Sequence, residues 1–389
     1  MNRAPIKVCH AVYRLDYGGM ENGLVNLINR LGDEFEHTVL CMAGYSEFAE
    51  RITVPVRLVD LNKRPGQDFR IFARAFQFLR RHPQDVMHTR NLSTLEMQLV
   101  AAAARVPLRI HGEHGLDMHD LGNTRARYRW MRRLIAPCVH RFVPLSLELE
   151  RYLSDAVGIS DRKLVRICNG VDVERFRPDP ARRAAIRSCL PASIRDATLV
   201  GYVGRFQEVK NPLALVEAFV SLAAGDRFER GRLGLVMVGD GPLLQAAETR
   251  LAEAGLSQYA WLPGRRDDVP AVLSALDVFV LPSLAEGISN SVLEALASGL
   301  PVVAAEVGGN AELVTSGETG VLVREPNGPA LADALAALLS DESVRAAAAT
   351  AARESAFRNF DIARMVDRYG RLYAGDRLHH GGTSHARAA

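Results

Sequence analysis

Residues 277–315 read DVFVLPSLAEGISNSVLEALASGLPVVAAEVGGNAELVT, from Asp277 to Thr315. Val278 to Leu281 is a short apolar run that stops at Pro282-Ser283, which predicts a buried parallel strand ending just before a loop. The loop carries Glu286, Gly287 and Ile288. Ser289, Asn290 and Ser291 then offer side-chain oxygens where a helix must begin, and Gly299 ends that helix. A second apolar run, Pro301 to Ala305, leads to Gly308-Gly309 and Glu312. Two successive strands thus end beside the same crevice. Ligands of open α/β sheets bind there, and a helix start presents free N–H groups to an anion. Glu294 falls about one turn into the helix, within reach of the vicinal hydroxyls of a ribose.

Upstream, the strand Thr198 to Val203 is followed by Gly204-Arg205-Phe206-Gln207-Glu208-Val209-Lys210-Asn211-Pro212, with Pro212 suited to the first turn of a helix. Arg205 can fork two phosphate oxygens and Lys210 supplies a mobile point charge. The strand Leu235 to Val238 ends at Gly239-Asp240-Gly241-Pro242, where both glycines give backbone room. Trp261-Leu262-Pro263-Gly264 precedes Arg265.

These motifs, with the wording EGISNSVLEALASGLPVVA and GRF-x3-KN, resemble the retaining glycosyltransferases of the GT-B kind, family four (glycosyl transferases group one). The stretch is most similar to bacterial exopolysaccharide-associated sugar transferases of the EpsH (PEP-CTERM) type. The commoner family wording after the first glutamate is Gly-Phe-Gly, whereas Ile288 and Ser289 stand here. The resemblance implies an α/β fold of two Rossmann-like parallel-sheet domains facing across a cleft, with a C-terminal helix crossing back to the first domain. It implies a donor site built from Gly18, Gly19, Gly204, Arg205, Lys210, Gly239, Gly241, Gly264, Arg265, Glu286, Gly287, Ile288, Ser289, Asn290, Ser291 and Glu294. The catalytic set it implies is Glu286, His114, Arg205 and Lys210; beyond the resemblance, Glu286 is expected to orient the hexose instead of attacking it.

The amino-terminal half alternates strands and helices at the pace of βαβ units. Ile6 to Val12 leads through Gly18-Gly19 into a helix from about Met20 to Leu31. This is not the G-x-G-x-x-G of a nicotinamide enzyme. Strands are expected at His37–Met42, Val56–Leu61, Asp85–Thr89, Phe142–Leu145 and Leu164–Cys168. Leu108 to Gly115, LRIHGEHG, ends a strand with His111 and His114, and either can be the histidine that the resembled family aims at the transferred sugar. RARYRWMRRL, residues 125–134, forms a helix on which Arg125, Arg129, Arg132 and Arg133 suit a membrane-facing patch or a solvated face equally. The breakers Pro178-Asp179-Pro180 mark the boundary. The first domain is placed at 1–177 with a crossing helix over about 358–376, whose Met365, Tyr369 and Leu372 dock on it. The second spans 178–357, and 377–389 is an unstructured tail.

Composition is globular, 48% hydrophobic and 24% charged, with a net charge of +3. Residues 1–177 carry 27 Lys+Arg against 20 Asp+Glu, a net +7, and the remainder is −4. The basic half suits an anionic acceptor or a phospholipid surface, or equally arginines on solvated helix faces, and nucleic acid ranks last as a partner for want of any binding motif. Five cysteines, Cys9, Cys41, Cys138, Cys168 and Cys189, form no C-x-x-C pair and read as small apolar residues. No apolar run approaches a membrane span, so the expected location is cytoplasmic, or peripheral on the inner face of the membrane. No Asp-x-Asp occurs, so no metal and no cofactor is expected. The expected partners are a UDP- or GDP-sugar donor and a glycan or lipid-linked acceptor. A sugar-nucleotide epimerase, a phosphorylase on the same scaffold and a non-catalytic nucleotide-sugar-binding module are the alternatives.

Overall fold

The computed structural model describes residues 4–115, 125–225 and 231–375. The expected tail after residue 376 lies outside them. The chain divides into two compact units, residues 1–169 with 363–389, and residues 170–362. The first unit holds β1 (Ile6–Val12), β2 (Phe35–Cys41), β3 (Val56–Asp60), β4 (Val86–Arg90), β5 (Leu108–Glu113) and β6 (Arg141–Pro144). They form one parallel sheet in the order β3-β2-β1-β4-β5-β6. The second unit holds β7 (Thr198–Val203), β8 (Leu233–Val238), β9 (Ala260–Gly264), β10 (Val278–Leu281), β11 (Val302–Ala305) and β12 (Gly320–Val323). Its parallel order is β12-β11-β10-β7-β8-β9. Each sheet reverses its winding once, between β1 and β4 and between β7 and β10, and a crevice opens there at the carboxyl ends of the strands.

The central strands β8, β10 and β11 are buried along their whole length, which is why they read as unbroken apolar runs. Helices supply the cover. The one at Pro212–Ala224 starts on its proline, and the one at Asn290–Ala297 buries Val292, Leu293, Ala295, Leu296 and Ala297. Cys9 and Cys41 are buried, and their thiols are pushed up to about 12 by desolvation, as suits inert packing groups.

Three expectations are corrected. Leu164–Cys168 is not a strand: Leu164 makes one isolated bridge to Phe142, and only Val165 and Ile167 donate to β6 carbonyls before Asn169-Gly170 turns the chain away. The boundary falls at 169/170 instead of 177/178. Val171 exchanges backbone bonds with Phe360 and Ile362, and the carbonyls of Phe176 and Arg177 accept from Arg353 and Ser274, all within the second unit. Pro178-Asp179-Pro180 then begins a helix, Pro180–Cys189, with Asp179 as its cap. The third concerns which residues dock the last helix, which follows the helix Glu342–Asn359 and spans Ile362–Ala374, within the expected 358–376. It belongs to the first unit; Met365 and Tyr369 are buried as expected, but Tyr373 takes the deep position and Leu372 is half-buried.

Candidate active site

In the second unit, the loops after β7, β8, β10 and β11 converge because glycines let their backbones touch. A Cβ on Gly308, whose φ is +56°, would lie 1.9 Å from the Glu286 carbonyl oxygen, and Gly309 N–H donates to the Gly287 carbonyl at 2.7 Å. On the other side, a Cβ on Gly239 would lie 1.9 Å from the Gly204 carbonyl oxygen. Leu284 N–H donates to the Val209 carbonyl at 2.8 Å, tying the loop after β10 to the one that carries Lys210.

The side chains follow from that frame. Lys210 Nζ donates to Glu286 Oε1 at 2.5 Å, and Ser283 Oγ donates to the same oxygen at 2.7 Å. The Glu286 side chain is 8% exposed and that of Lys210 20%. Lys210 is therefore not the mobile point charge expected of it, since the carboxylate anchors it. Arg205 is exposed at the end of β7, and its carbonyl accepts the Tyr202 hydroxyl at 2.7 Å. Burial, and secondarily the Glu286 charge, push Tyr202 upward, so the hydroxyl stays a donor.

The helix Asn290–Ala297 begins as its text predicts, with Ser289 Oγ accepting Val292 N–H at 3.4 Å and meeting Ser291 Oγ at 3.1 Å. Asn290 stands beside them, half-buried. Glu294 is half-buried with no hydrogen bond to its carboxylate among the described residues. Desolvation pushes that carboxyl up to about 7 against the pull of Arg175.

Ile288 keeps its backbone alone for a donor contact. Its side chain is buried, with Cδ1 2.3 Å from where a Gly309 Cβ would stand, so it packs inward and leaves only its backbone for a ligand. The Gly264 carbonyl accepts Gly239 N–H at 2.9 Å, Gly241 fits because a Cβ would lie 2.6 Å from the Phe206 carbonyl oxygen, and Arg265 is exposed.

In the first unit, Gly18 caps the helix Gly19–Arg30, and a Cβ there would lie 2.1 Å from Glu21 Oε2, so the acid folds over the cap. The structure separates the two histidines. His111 is used up by the sheet, with Nδ1 at 2.8 Å from Thr89 Oγ1 and Nε2 at 3.2 Å from Glu113 Oε1. His114 is half-buried, and Asn91 Oδ1 accepts its backbone N–H at 2.8 Å. Its imidazole is held down at about 3, first by burial and then by Arg90. Arg132 is corrected as well: it is no surface cation but a buried one, with Nε 2.6 Å and Nη2 3.0 Å from the Glu113 carboxylate. The burial of Arg132 escapes a reading by helix period, because its partner sits on β5.

Residues 197–341 match the family described as Glycosyl transferases group 1, and residues 17–175 match Glycosyltransferase Family 4. The protein is a glycosyltransferase. Among its relatives is the UDP-Gal:alpha-D-GlcNAc-diphosphoundecaprenol alpha-1,3-galactosyltransferase of Escherichia coli. It is 28% identical over 311 residues, which are 79% of each chain. The lipopolysaccharide core biosynthesis mannosyltransferase LpsB of Rhizobium meliloti is 34% identical over 206 residues, 50% of this chain and 56% of that one. In fold, the glycosyltransferase is similar to Anabaena HepE in complex with UDP. That likeness has a TM-score of 0.80 and 20% identity, and it covers 95% of this chain and 99% of the other. Within this glycosyltransferase, the Lys210–Glu286 contact, the capped helix start and the Glu294 carboxylate are a fixed cation, a set of amides and a hydroxyl acceptor at the carboxyl end of one sheet.

Proposed function

We propose that this glycosyltransferase moves a hexose from a UDP- or GDP-sugar, with retention at the anomeric carbon, to a lipid-linked or saccharide acceptor in exopolysaccharide or cell-surface glycan synthesis. Placement among the EpsH (PEP-CTERM) type is part of the same proposal. The observation that carries it is the contact of Lys210 with Glu286 at the carboxyl end of β10. An ammonium has three N–H donors, and Glu286 takes one, so the others can meet a phosphate without the cation wandering. Arg205 adds a bidentate donor, and the helix start at Ser289, Asn290 and Ser291 adds amides. The charge that develops on the departing nucleoside diphosphate meets groups already in place, and no divalent ion enters the scheme.

Glu286, held by Lys210 and Ser283 on one oxygen, offers the other to a sugar hydroxyl and orients the hexose. Trapping a glycosyl adduct on Glu286 would contradict that role. Glu294 accepts from the ribose hydroxyls, and His114 contacts a sugar hydroxyl. The Escherichia coli relative's name pairs UDP-Gal with a diphosphoundecaprenol-linked acceptor, which supports the lipid-linked choice. Peripheral contact with the inner face of the membrane fits the same acceptor. Trp130 and Leu134 are 66% and 78% exposed on the helix Ala126–Ile135, which also carries Arg129 and Arg133. No helix among the described residues is long and apolar enough to cross a membrane.

The test is incubation of the enzyme in EDTA with a panel of UDP- and GDP-sugars and lipid-linked saccharides. An axial product from an axial donor is the expected result. A product of inverted configuration, or a nucleotide sugar isomerised without acceptor, would overturn the reading.

A further inference from the structure

Behind His114 the first sheet holds a chain of buried polar groups. Arg90, at the end of β4, is 2% exposed, and its guanidinium meets ring nitrogens and the Tyr373 hydroxyl. Nη1 lies 3.2 Å from His10 Nδ1 and Nη2 3.2 Å from His88 Nδ1. A guanidinium only donates, so both Nδ1 atoms must accept. Burial first and Arg90 second keep both rings neutral. Each ring therefore carries its single proton on Nε2. His10 passes its proton on as a hydrogen bond to His37 Nδ1 at 3.1 Å. The Tyr373 hydroxyl, on the helix Ile362–Ala374, reinforces the assignment for His88 by reaching its Nδ1 at 2.7 Å.

His88 Nε2 has no such outlet. It is buried, makes no hydrogen bond to the protein, and lies 3.1 Å from the point where a Cβ on Gly112 would stand. His114 Nε2, also buried and without a protein partner, lies 2.6 Å from the same point. Both Nε2 atoms border the space over Gly112, the residue type that leaves them room. With the His114 proton on Nε2, two N–H dipoles would confront each other in a dry interior; with it on Nδ1, a lone pair faces the His88 N–H.

We propose that Arg90 and His88 set the tautomer of His114, so that His114 carries its proton on Nδ1 and donates it to a hydroxyl oxygen of the sugar. The proposal rests on the reading of His114 as a sugar contact. Arg90 and His88 are positioning residues in it, and His111, with both nitrogens engaged, is excluded.

Two-bond 1H–15N correlation spectra of the full-length protein with 15N-labelled histidine test it at neutral pH. Wild type is expected to show His88 protonated on Nε2 and His114 on Nδ1. His88→Phe keeps the ring without the N–H; His114 should then become a mixture of tautomers, and kcat should fall about tenfold or more while the affinity for UDP is unchanged. His88→Gln, which returns an amide donor near the Nε2 position, should restore much of both. A wild-type spectrum with His114 protonated on Nε2 overturns the proposal even where no variant folds, and so does a His88→Phe enzyme with tautomer and kcat unchanged. A fully active His114→Ala enzyme would instead remove the sugar contact while leaving the Nδ1 tautomer in place, which separates the two ideas.

Discussion

Each unit of this glycosyltransferase encloses a cation, and the two are partnered differently. Lys210 in the second unit meets a carboxylate and keeps a fifth of its side chain open to solvent. Arg90 in the first unit is almost sealed and meets the lone pairs of His10 and His88. The first arrangement leaves donors over for a substrate phosphate, and the second consumes its donors within the fold. Charge in an active site is therefore read from what its partner leaves unused, and burial by itself points to architecture. The second unit contains no histidine, so the two also differ in how they respond to mild acid.

Four measurements can break that contrast. The largest effect is expected for Lys210→Ala, about 10²–10³-fold lower kcat with the thermal transition kept, because a preorganised donor to the leaving group is lost. Full activity would leave the cation without a catalytic role.

Glu294 gives the next effect. Its free-state value of about 7 should fall when ribose hydroxyls bond the ionised form, so nucleotide affinity is full above pH 7 and weakens below it. UDP should bind roughly tenfold more weakly at pH 6 than at pH 8, and Glu294→Gln should flatten the profile. An unchanged profile in the variant counts against the ribose role.

The third uses the two tryptophans, Trp130 in the first unit and Trp261 in the second, as separate reporters in Trp261→Phe and Trp130→Phe proteins. His37 and His114 titrate at about 4 and about 3 in the fold, against 6.5 when unfolded. The first unit is thus at full strength above about 6.5 and loses stability as pH falls through that value toward 4 and 3. Glu294 works in reverse: its contribution is full below 4.5 and is lost as pH rises through about 7. Between pH 7 and 5 the urea midpoint seen by Trp130 should drop while that seen by Trp261 holds or rises. Parallel movement would erase the distinction. The smallest effect is that of Tyr373→Phe, which removes the hydroxyl from His88 and should cost the first unit about 1 kcal/mol, seen by Trp130 alone.

The α/β architecture was legible because buried parallel strands announce themselves as apolar runs and because Pro, Ser and Gly punctuate their ends. The second unit's crevice was legible for the same reason, its glycines being required wherever two loop backbones touch. Lys210 and Glu286 could be named, but not their mutual contact, since they are 76 residues apart in the chain. What escaped were groups whose environment comes from other strands. Arg132 looks like any surface arginine until Glu113 is placed under it, and His10, His37 and His88 look like ordinary strand residues until Arg90 gathers them. The inward turn of the Ile288 side chain depends on Gly309, which its own local text does not show. Leu164–Cys168 has the composition of a strand yet pairs with β6 only briefly, and the boundary was drawn at prolines that turned out to start a helix.

Calorimetric titration of UDP and GDP into wild-type and Lys210→Ala protein in EDTA tests the clamp most directly. Wild type should bind at least one of the two nucleotides without any divalent ion, and Lys210→Ala should bind it at least about tenfold more weakly. Binding that appears only after Mg²⁺ or Mn²⁺ is added, and equally in both proteins, would contradict a pyrophosphate held by Lys210, Arg205 and the helix start.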